Sequence, residues 1–422
     1  MSESRLNVLL SAYACEPNRG SEPGVGWNVA MELSSRVNLT VITRANNRTS
    51  IEASEDARVK TITWIFWDPP KWLTFWKKKG RGVQLFYAIW QYGVKKIAAT
   101  AHSQKRFDII HHITFGKYWV PSRLAGLGCP FVFGPVGGGE FTPPSIARTR
   151  AFGLGYKDFA KDVLVKSIGF VPGVKRLYRN ASWTFAATEQ TQAALNRLGV
   201  GKLSVLPQSG IRQQDFTKFE AGECVKRRNR QEILLVSASR LISWKAIDLA
   251  IEAVALANKK IDVRMIVLQN GPDLDYLKRL ARNLDIQHKI EFAGHLSSLG
   301  EVHEQLAEAD ALIHPALHEA FGQACVESLA LGTPVICLNW GGPGMIVDED
   351  TGFAVTPGSR SETVVALSEA IVKLSDEIAN GHDRSSACKK RAFEQFDWDR
   401  MAYSIYAKYL EIAAQDSGDN AD

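Results

Sequence analysis

Short apolar runs recur along the chain, with helical stretches between many of them. Val, Leu and Ile dominate these runs, and glycine, proline or polar residues bound them. Such runs are typical of buried strands. The predicted strands occupy residues 6–12, 39–43, 107–112, 131–133, 181–188, 203–206, 233–237, 263–269, 290–294, 311–313 and 335–338. Strands that alternate with helices predict an α/β fold with parallel, doubly wound sheets.

A glycine-rich segment follows the first predicted strand. It contains Gly20, Gly24 and Gly26 and precedes a helix predicted over residues 28–35. Because glycine lets a backbone approach a ligand and a helix N-terminus attracts anions, we interpret this segment as a phosphate-binding loop. Its spacing differs from G-x-G-x-x-G, and no ribose-binding acid follows the second strand, which argues against a dehydrogenase.

Length and composition restrict the class of protein. The 422 residues predict two or three domains, and 45% hydrophobic with 23% charged residues is typical of a globular protein. A net charge of +6 favours anionic substrates or a lipid surface over nucleic acid as the partner. Six scattered cysteines and no apolar run of bilayer length indicate a cytoplasmic protein with reduced thiols.

The strongest chemical signal lies between residues 314 and 344. Glu319 and Glu327 flank the start of a helix predicted over residues 324–331, and Glu327 is expected about two turns inside it. Between the two acids, Phe321, Gly322 and Gln323 supply the free backbone amides of a helix start. Such an end attracts phosphate.

These residues resemble the E-x7-E signature of retaining GT-B glycosyltransferases of family 4, the glycosyl transferases group 1. The resemblance implies that Glu319 holds the transferred sugar and that Glu327 holds the nucleotide ribose. The amides of Phe321, Gly322 and Gln323 would bind phosphate or sugar oxygens.

Two further loops resemble parts of the same family. Residues 239–248 resemble its R-x4-K loop, which implies that Arg240 and Lys245 grip the donor diphosphate, although Ala246 replaces the usual glycine. The first glycine segment resembles the family's N-terminal loop, which implies that Gly24 and Gly26 lie near the donor.

His111 and His112 end the strand predicted over residues 107–112. Family 4 enzymes often carry H-x-H there, whereas here the two histidines are adjacent. Because successive strand residues point to opposite faces, only one of them can face a cleft. A structural role for either histidine stays open beside a catalytic one.

The resemblance implies two Rossmann-like domains that face each other across a cleft. We expect an N-terminal, acceptor-side domain over residues 1–206 and a donor-binding domain over residues 207–395. A helix over residues 396–412 would cross back to the first domain, and a polar tail would follow over residues 413–422.

The segment between residues 64 and 96 combines tryptophans with basic residues. Five of the eleven tryptophans fall there, and lysines and one arginine accompany them. Between Trp72 and Arg81 this mixture suits the headgroup level of an anionic membrane, so the protein can attach peripherally to the inner face. A core role for the tryptophans, with the charges as a solvated rim, is an equal alternative.

The implied reaction moves a sugar, with retention, from a UDP- or GDP-sugar to a hydroxyl acceptor. The acceptor would be lipid-linked or a growing glycan in bacterial polysaccharide or envelope synthesis. No cofactor or metal is expected, and we interpret the D-x-D of Asp273 and Asp275 as first-turn carboxylates of a helix. An epimerase or hydrolase of the same fold and a non-catalytic sugar-nucleotide-binding subunit remain alternatives.

Overall fold

The chain folds into two compact units. A computed structural model describes residues 5–76, 82–147, 172–219 and 232–419. Unit 1 comprises residues 1–139, 167–209 and 398–422, and unit 2 comprises residues 140–166 and 210–397. The chain therefore passes from one unit to the other four times.

Unit 1 is built on a seven-stranded sheet of order β3-β2-β1-β4-β5-β6-β7. Every strand pair in it is parallel. The strands are β1 Asn7–Ser11, β2 Asn38–Thr43, β3 Thr63–Phe66, β4 Ile109–His112, β5 Phe131–Val136, β6 Trp183–Ala186 and β7 Leu203–Val205. Its described α-helices are α1 Ser21–Ser34, α2 Arg48–Glu52, α3 Val83–Gln104, α5 Pro172–Asn180, α6 Glu189–Arg197 and α14 Trp398–Asp419.

The last helix belongs to unit 1 although it follows unit 2 in sequence. Apolar residues of α14 such as Ile405 join the buried cluster that also contains Val29 of α1 and Val8 of β1. Tyr409 is fully buried there. Burying these side chains removes apolar surface from water and holds the C-terminal helix to unit 1.

Unit 2 is built on a six-stranded parallel sheet of order β10-β9-β8-β11-β12-β13. Its strands are β8 Ile233–Ala238, β9 Val263–Leu268, β10 Ile290–Gly294, β11 Ala311–His314, β12 Val335–Leu338 and β13 Gly352–Val355. Its described α-helices are α4 Pro144–Ala147, α7 Ile247–Ala257, α8 Leu274–Asn283, α9 Leu299–Glu308, α10 Gln323–Ala330, α11 Gly341–Ile346, α12 Arg360–Ala379 and α13 Ser385–Gln395.

Local chemistry explains where the elements of unit 2 begin. The side chain of Ser359 accepts from the Glu362 amide while the Glu362 carboxylate accepts from the Ser359 amide, and this capping box starts α12. The strands are continuous apolar runs because helices cover both faces of the sheet.

The two doubly wound parallel sheets confirm the predicted fold class of two Rossmann-like domains. The cleft between them stays a prediction. The units divide after Ser209 and Asp397 rather than at the expected positions, and residues 140–166 join unit 2. The lysines at 77–79, Arg81 and most of the basic stretch at residues 151–179 lie outside the described residues.

Candidate active site

Unit 2 has a topological switch point between β8 and β11. From β8 the sheet extends through β9 and β10 on one side and through β11 on the other. The loops that follow two such strands diverge and leave a crevice at the carboxyl ends of the strands. The loop after β8 contains Arg240 and Lys245, and the loop after β11 contains Glu319. The predicted cations and the first predicted glutamate therefore border the switch point.

Lys245 and Glu319 form an ion pair that joins these two loops. Nζ of Lys245 contacts Oε2 of Glu319, and the two side chains are 18% and 20% exposed. Burial lowers the pKa of Lys245 to about 8, so its amine is still largely protonated at neutral pH. Arg240 is exposed at the end of β8 and forms no ion pair within the described ranges. An anion can therefore reach Arg240 directly, whereas at Lys245 it has to compete with Glu319.

A left-handed residue turns the chain from Lys245 into α7. Ala246 caps this helix with φ 51° and ψ 39°. A Cβ in that region costs about 1–2 kcal/mol, whereas glycine pays no such cost. Alanine adopts this turn despite the cost, and the side chain of Ala246 is buried in the core of unit 2.

The Glu319 loop is held through its main chain. The Gly342 amide donates to the Glu319 carbonyl over 2.8 Å. Gly341, at φ 59°, passes so close that a Cβ there would lie 2.3 Å from the same carbonyl oxygen. Because the main chain carries these contacts, the carboxylate of Glu319 remains available to Lys245 and to a ligand.

The start of α10 presents free backbone amides. Gly322 caps the helix at φ 95°, without a side-chain cap. Within the described residues, the backbone amides of Gly322 and Ala324 donate no hydrogen bond. The Phe321 ring is buried against Phe396, with ring centroids 6.0 Å apart, so Phe321 offers its backbone rather than its ring.

Glu327 lies four residues after Gln323, the first residue of α10, so it is about one turn inside the helix and the expectation of two turns is wrong. The Gln323 amide nitrogen donates to Oε1 of Glu327 over 3.1 Å. Oε2 of Glu327 is 3.7 Å from Nε2 of His303. Gln323 and Glu327 therefore form one polar group on the first turns of α10.

His314, the last residue of β11, is a site residue that sequence reasoning left without a role. Its Nδ1 pairs with the Ser239 hydroxyl over 3.1 Å. Its Nε2 is buried without a hydrogen-bond partner in the described structure and lies 3.6 Å from Oε2 of Glu319. Burial and the neighbouring Lys245 lower the pKa of His314 to about 3, so the ring is neutral. Nothing in its spacing distinguishes it from a core histidine.

Residues 140–147, which we call the strap, bring a segment from the first third of the sequence to this site. Trp340 Nε1 donates to the Phe141 carbonyl over 2.8 Å, and Thr142 Oγ1 lies 2.5 Å from His318 Nε2. Glu140 is buried beside Gly341. The strap therefore contacts His318, the residue before Glu319, and also the segment Trp340–Gly341 next to the amide that binds the Glu319 carbonyl.

His111 and His112 do not line an open site in unit 1. His111 is fully buried, with Nδ1 2.5 Å from the Tyr409 hydroxyl and Nε2 donating to the Gly134 carbonyl over 2.6 Å. His112 is 1% exposed and likewise has both nitrogens engaged. Burial lowers the pKa of His111 to about 3 and that of His112 to about 4. The protein itself uses all four ring nitrogens in the described structure, which supports the structural alternative. Contact of either histidine with a ligand stays a prediction.

The predicted glycine loop of unit 1 is wrong. Gly24 and Gly26 lie inside α1, which begins at Ser21 rather than near residue 28. A Cβ on Gly24 would lie 2.1 Å from the Arg19 carbonyl oxygen, and one on Gly26 would lie 2.1 Å from that of Ala14. These glycines therefore let the helix pack against the preceding segment. Contact of Gly24 and Gly26 with a donor stays a prediction.

Asp273 and Asp275 lie at the start of α8. Asp273 is its N-cap residue, and Asp275 is in its first turn. Carboxylates there interact favourably with the helix dipole. Across the described part of the chain, no group of three or more His, Cys, Asp or Glu side chains could hold a metal ion.

Known families and proteins resemble this chain. Residues 223–394 match the family described as "Glycosyl transferases group 1". A GDP-mannose-dependent alpha-(1-6)-phosphatidylinositol dimannoside mannosyltransferase of Mycobacterium tuberculosis is 33% identical over 193 residues, which cover 45% of this chain and 48% of that protein. An N-acetyl-alpha-D-glucosaminyl L-malate synthase of Bacillus anthracis is 24% identical over 44% of this chain and 48% of its own length. The chain spans about half the length of these curated relatives.

Solved structures share the fold over nearly the whole chain. Anabaena HepE in complex with UDP and glucose has a TM-score of 0.58 and 18% identity, with 96% of this chain and 99% of that chain covered. Sucrose-phosphate synthase from Thermosynechococcus elongatus has a TM-score of 0.65 and 16% identity, with 97% and 100% covered.

The two Rossmann-like units define the GT-B fold. Residues 223–394, which lie in unit 2, resemble the glycosyl transferases group 1.

Proposed function

We propose that the protein is a retaining glycosyltransferase that takes a sugar from a nucleotide diphosphate sugar. The observation that carries this proposal is the group around Glu319: the Lys245 amine, the unpartnered His314 Nε2 and the free amides at the start of α10. A cation and free amides suit a diphosphate, while a carboxylate and an unpaired ring nitrogen suit sugar hydroxyls.

The Lys245–Glu319 pair is, in this proposal, the resting state of the site. A diphosphate competes with Glu319 for the Lys245 ammonium, and Arg240 joins it from the loop surface. Glu319 is then free to accept hydrogen bonds from the donor sugar, with His314 Nε2 beside it. Gln323 and Glu327 bind the ribose hydroxyls. Each charged group thus gains a partner when the donor binds, so neither Lys245 nor Glu319 is left unpaired.

The chemical step exchanges one bond at the anomeric carbon for another. The bond from that carbon to the diphosphate oxygen breaks, the diphosphate leaves with the electron pair, and the acceptor oxygen bonds to the carbon as its proton is released. Arg240, Lys245 and the α10 amides stabilise the charge that develops on the leaving group. No metal ion is needed for this step in the proposal, and configuration is retained.

The relatives suggest donors and acceptors to test. The mycobacterial relative is named for GDP-mannose and a phosphatidylinositol acceptor, and HepE was solved with UDP and glucose. We propose a UDP- or GDP-sugar donor and a lipid-linked or growing glycan acceptor, used at the cytoplasmic face of the membrane. None of the helices in the described ranges has both the length and the apolar character needed to cross a bilayer.

A thermal-shift screen against UDP-, GDP- and ADP-sugars, followed by product analysis with and without EDTA, tests the proposal. We expect one nucleotide class to raise the melting temperature and to support metal-independent transfer to a glycan or lipid-linked acceptor. Strict metal dependence would instead favour Asp273 and Asp275 as ligands. Donor breakdown without transfer would favour a hydrolase or epimerase, and binding without turnover a non-catalytic subunit.

A further inference from the structure

Unit 1 exposes a group of large apolar side chains around residues 71–76. Trp72 is 73% exposed, Phe75 is 80% exposed, and Leu73 is 36% exposed. Trp72 and Leu73 lie in the 3-10 helix Lys71–Leu73, and Phe75 follows it. The Trp76 ring lies against Gly82, so this segment adjoins the start of α3, where Leu85 is 56% exposed. Soluble surfaces rarely leave such a contiguous apolar group without a partner.

The aromatic residues of this region divide into two sets. Trp90 and Tyr87 are buried on the inner face of α3, and Trp90 Nε1 donates to the Trp67 carbonyl over 3.0 Å. These buried residues fit the alternative that the aromatic side chains of this segment belong to the core. Trp72 and Phe75 do not, because most of their surface remains in water. The exposed pair therefore needs a separate explanation.

The sequence around this apolar group carries charge of one sign. Between Asp68 and Asp108 the sequence contains nine Lys and Arg residues and no Asp or Glu. Both flanking acids are engaged: Asp68 accepts two hydrogen bonds from Arg44, and Asp108 accepts from the Asn7 amide.

The exposed face of α3 continues the same mixture of apolar and basic groups. Leu85 and Tyr92 are seven residues apart and therefore lie on one side of the helix. Lys95 and Lys96 are exposed one turn further on, and the Arg123 guanidinium lies 3.7 Å from the centre of the Tyr92 ring.

We propose that Lys71, Trp72, Leu73, Phe75 and Leu85 form a lipid-docking surface that binds an anionic bilayer. Aromatic side chains are favourable at the headgroup level, where ring surface leaves water, and basic side chains are attracted to anionic lipid. Neither a second copy nor an RNA is favoured: identical positive surfaces repel each other, and RNA-binding aromatics usually lie in a groove that tracks a strand. The proposal rests on its own observations, and it supplies the place where the proposed function would find a lipid-linked acceptor.

Vesicle sedimentation of the full chain tests this surface. The wild-type protein should pellet with vesicles of phosphatidylcholine and phosphatidylglycerol at low salt, less at high salt, and little with phosphatidylcholine alone. The double variant Trp72→Ser and Phe75→Ser should lower the partition coefficient by about tenfold or more for each ring lost. Lys71→Gln should lower it by about fivefold.

A matched control comes from α14 in the same unit. Tyr403 is 62% exposed and Leu410 is 46% exposed, so replacing both by serine removes apolar surface elsewhere and should leave vesicle binding unchanged. The melting temperature and the shift caused by nucleotide sugars should match wild type in both double variants. If nucleotide sugars raise the melting temperature of the variants and of the wild type equally, the proposed donor site in unit 2 is intact. A loss of vesicle binding then cannot be attributed to that site.

Three results would overturn the lipid-docking surface. The first is wild-type vesicle binding by the Trp72/Phe75 double variant. The second is a dimer in solution that dissociates in that variant. The third is binding of a short RNA that depends on the same two residues and displaces the protein from vesicles.

Discussion

β4 of unit 1 and β11 of unit 2 occupy the same place in their sheets and end in the same residue type. Each is a four-residue strand beside the first strand of its unit, and they end at His112 and His314 respectively. In His112, Nδ1 pairs with Ser122, and Nε2 lies within hydrogen-bonding distance of Tyr87 and Thr114. In His314, only Nδ1 has a partner, and Nε2 lies near Glu319 without one.

The difference shows that the surroundings of a strand end, rather than its position, decide whether it is available to a ligand. Because a carbonyl only accepts, Nε2 of His112 carries the hydrogen that it donates to Thr114, and Nδ1 accepts from Ser122. Both nitrogens of the His112 ring therefore have hydrogen-bond partners within the protein. Unit 2 instead brings Lys245, Glu319 and an unpaired nitrogen to the same topological position, which is costly unless a ligand compensates.

The largest expected effect comes from removing the cation of unit 2. Lys245→Ala should reduce turnover by about a hundredfold to a thousandfold, since one electrostatic donor to the leaving group is lost. Steady-state rates with the best nucleotide sugar from the screen measure this. Lys259→Ala, at an exposed lysine of the same unit, should retain wild-type turnover. Normal rates in Lys245→Ala would refute the role of unit 2 in binding the diphosphate.

Replacing the two equivalent histidines should separate stability from binding. His112→Ala removes a buried ring and leaves Tyr87 and Ser122 without it, so the free energy of unfolding in urea should fall by about 3 kcal/mol. The melting-temperature shift caused by a nucleotide sugar should persist in that variant. His314→Ala should cost less stability, about 1–2 kcal/mol, but should abolish most of the shift. If His112→Ala abolished the nucleotide-sugar shift and His314→Ala kept it, the assignment of a structural role to His112 and a binding role to His314 would be wrong.

Acid should weaken unit 1 more than unit 2. The pKa values of His111, His112 and His314 lie well below the usual value near 6.5. Between pH about 6.5 and about 4 the unfolded chain therefore binds protons that the folded chain does not, and stability falls as the pH falls. Each histidine contributes about 1.4 kcal/mol per pH unit. Two of these histidines belong to unit 1 and one to unit 2.

Hydrogen exchange followed by mass spectrometry between pH 6.5 and pH about 5 can report the two units separately, once intrinsic exchange rates are corrected for pH. Unit 1 should lose protection more steeply than unit 2. Replacing His288, which is exposed, by glutamine should leave both slopes unchanged. Faster acid loss in unit 2 would contradict the assignment of neutral rings.

The smallest effect should come from the strap. Thr142→Val removes the hydrogen bond to His318 and should lower kcat/KM for the donor by about fivefold, because Glu319 is held less firmly. Thr142→Ser should restore the wild-type value, which a purely steric role would not predict. Ser145 donates to the Pro357 carbonyl further along the strap, so Ser145→Ala serves as the control and should change little.

Much of the fold could be predicted from the sequence, because buried parallel strands are continuous apolar runs with recognisable turns. Lys245 and Glu319 could be singled out from two separate motifs, but the ion pair between them was not predicted. The helical position of Gly24 and Gly26 could not be predicted, because glycines that admit a neighbouring carbonyl look the same in sequence as glycines in a loop. Thr142 and His318 are 176 residues apart, and no local pattern reveals such a contact.

The four passages of the chain between units have a consequence for engineering. A chimera made by joining two homologues near Ser209 would combine unit 2 with a foreign strap, and unit 1 with a foreign α14. Exchanging unit 2 as a whole therefore requires exchanging residues 140–166 together with residues 210–397, while residues 398–422 stay with unit 1.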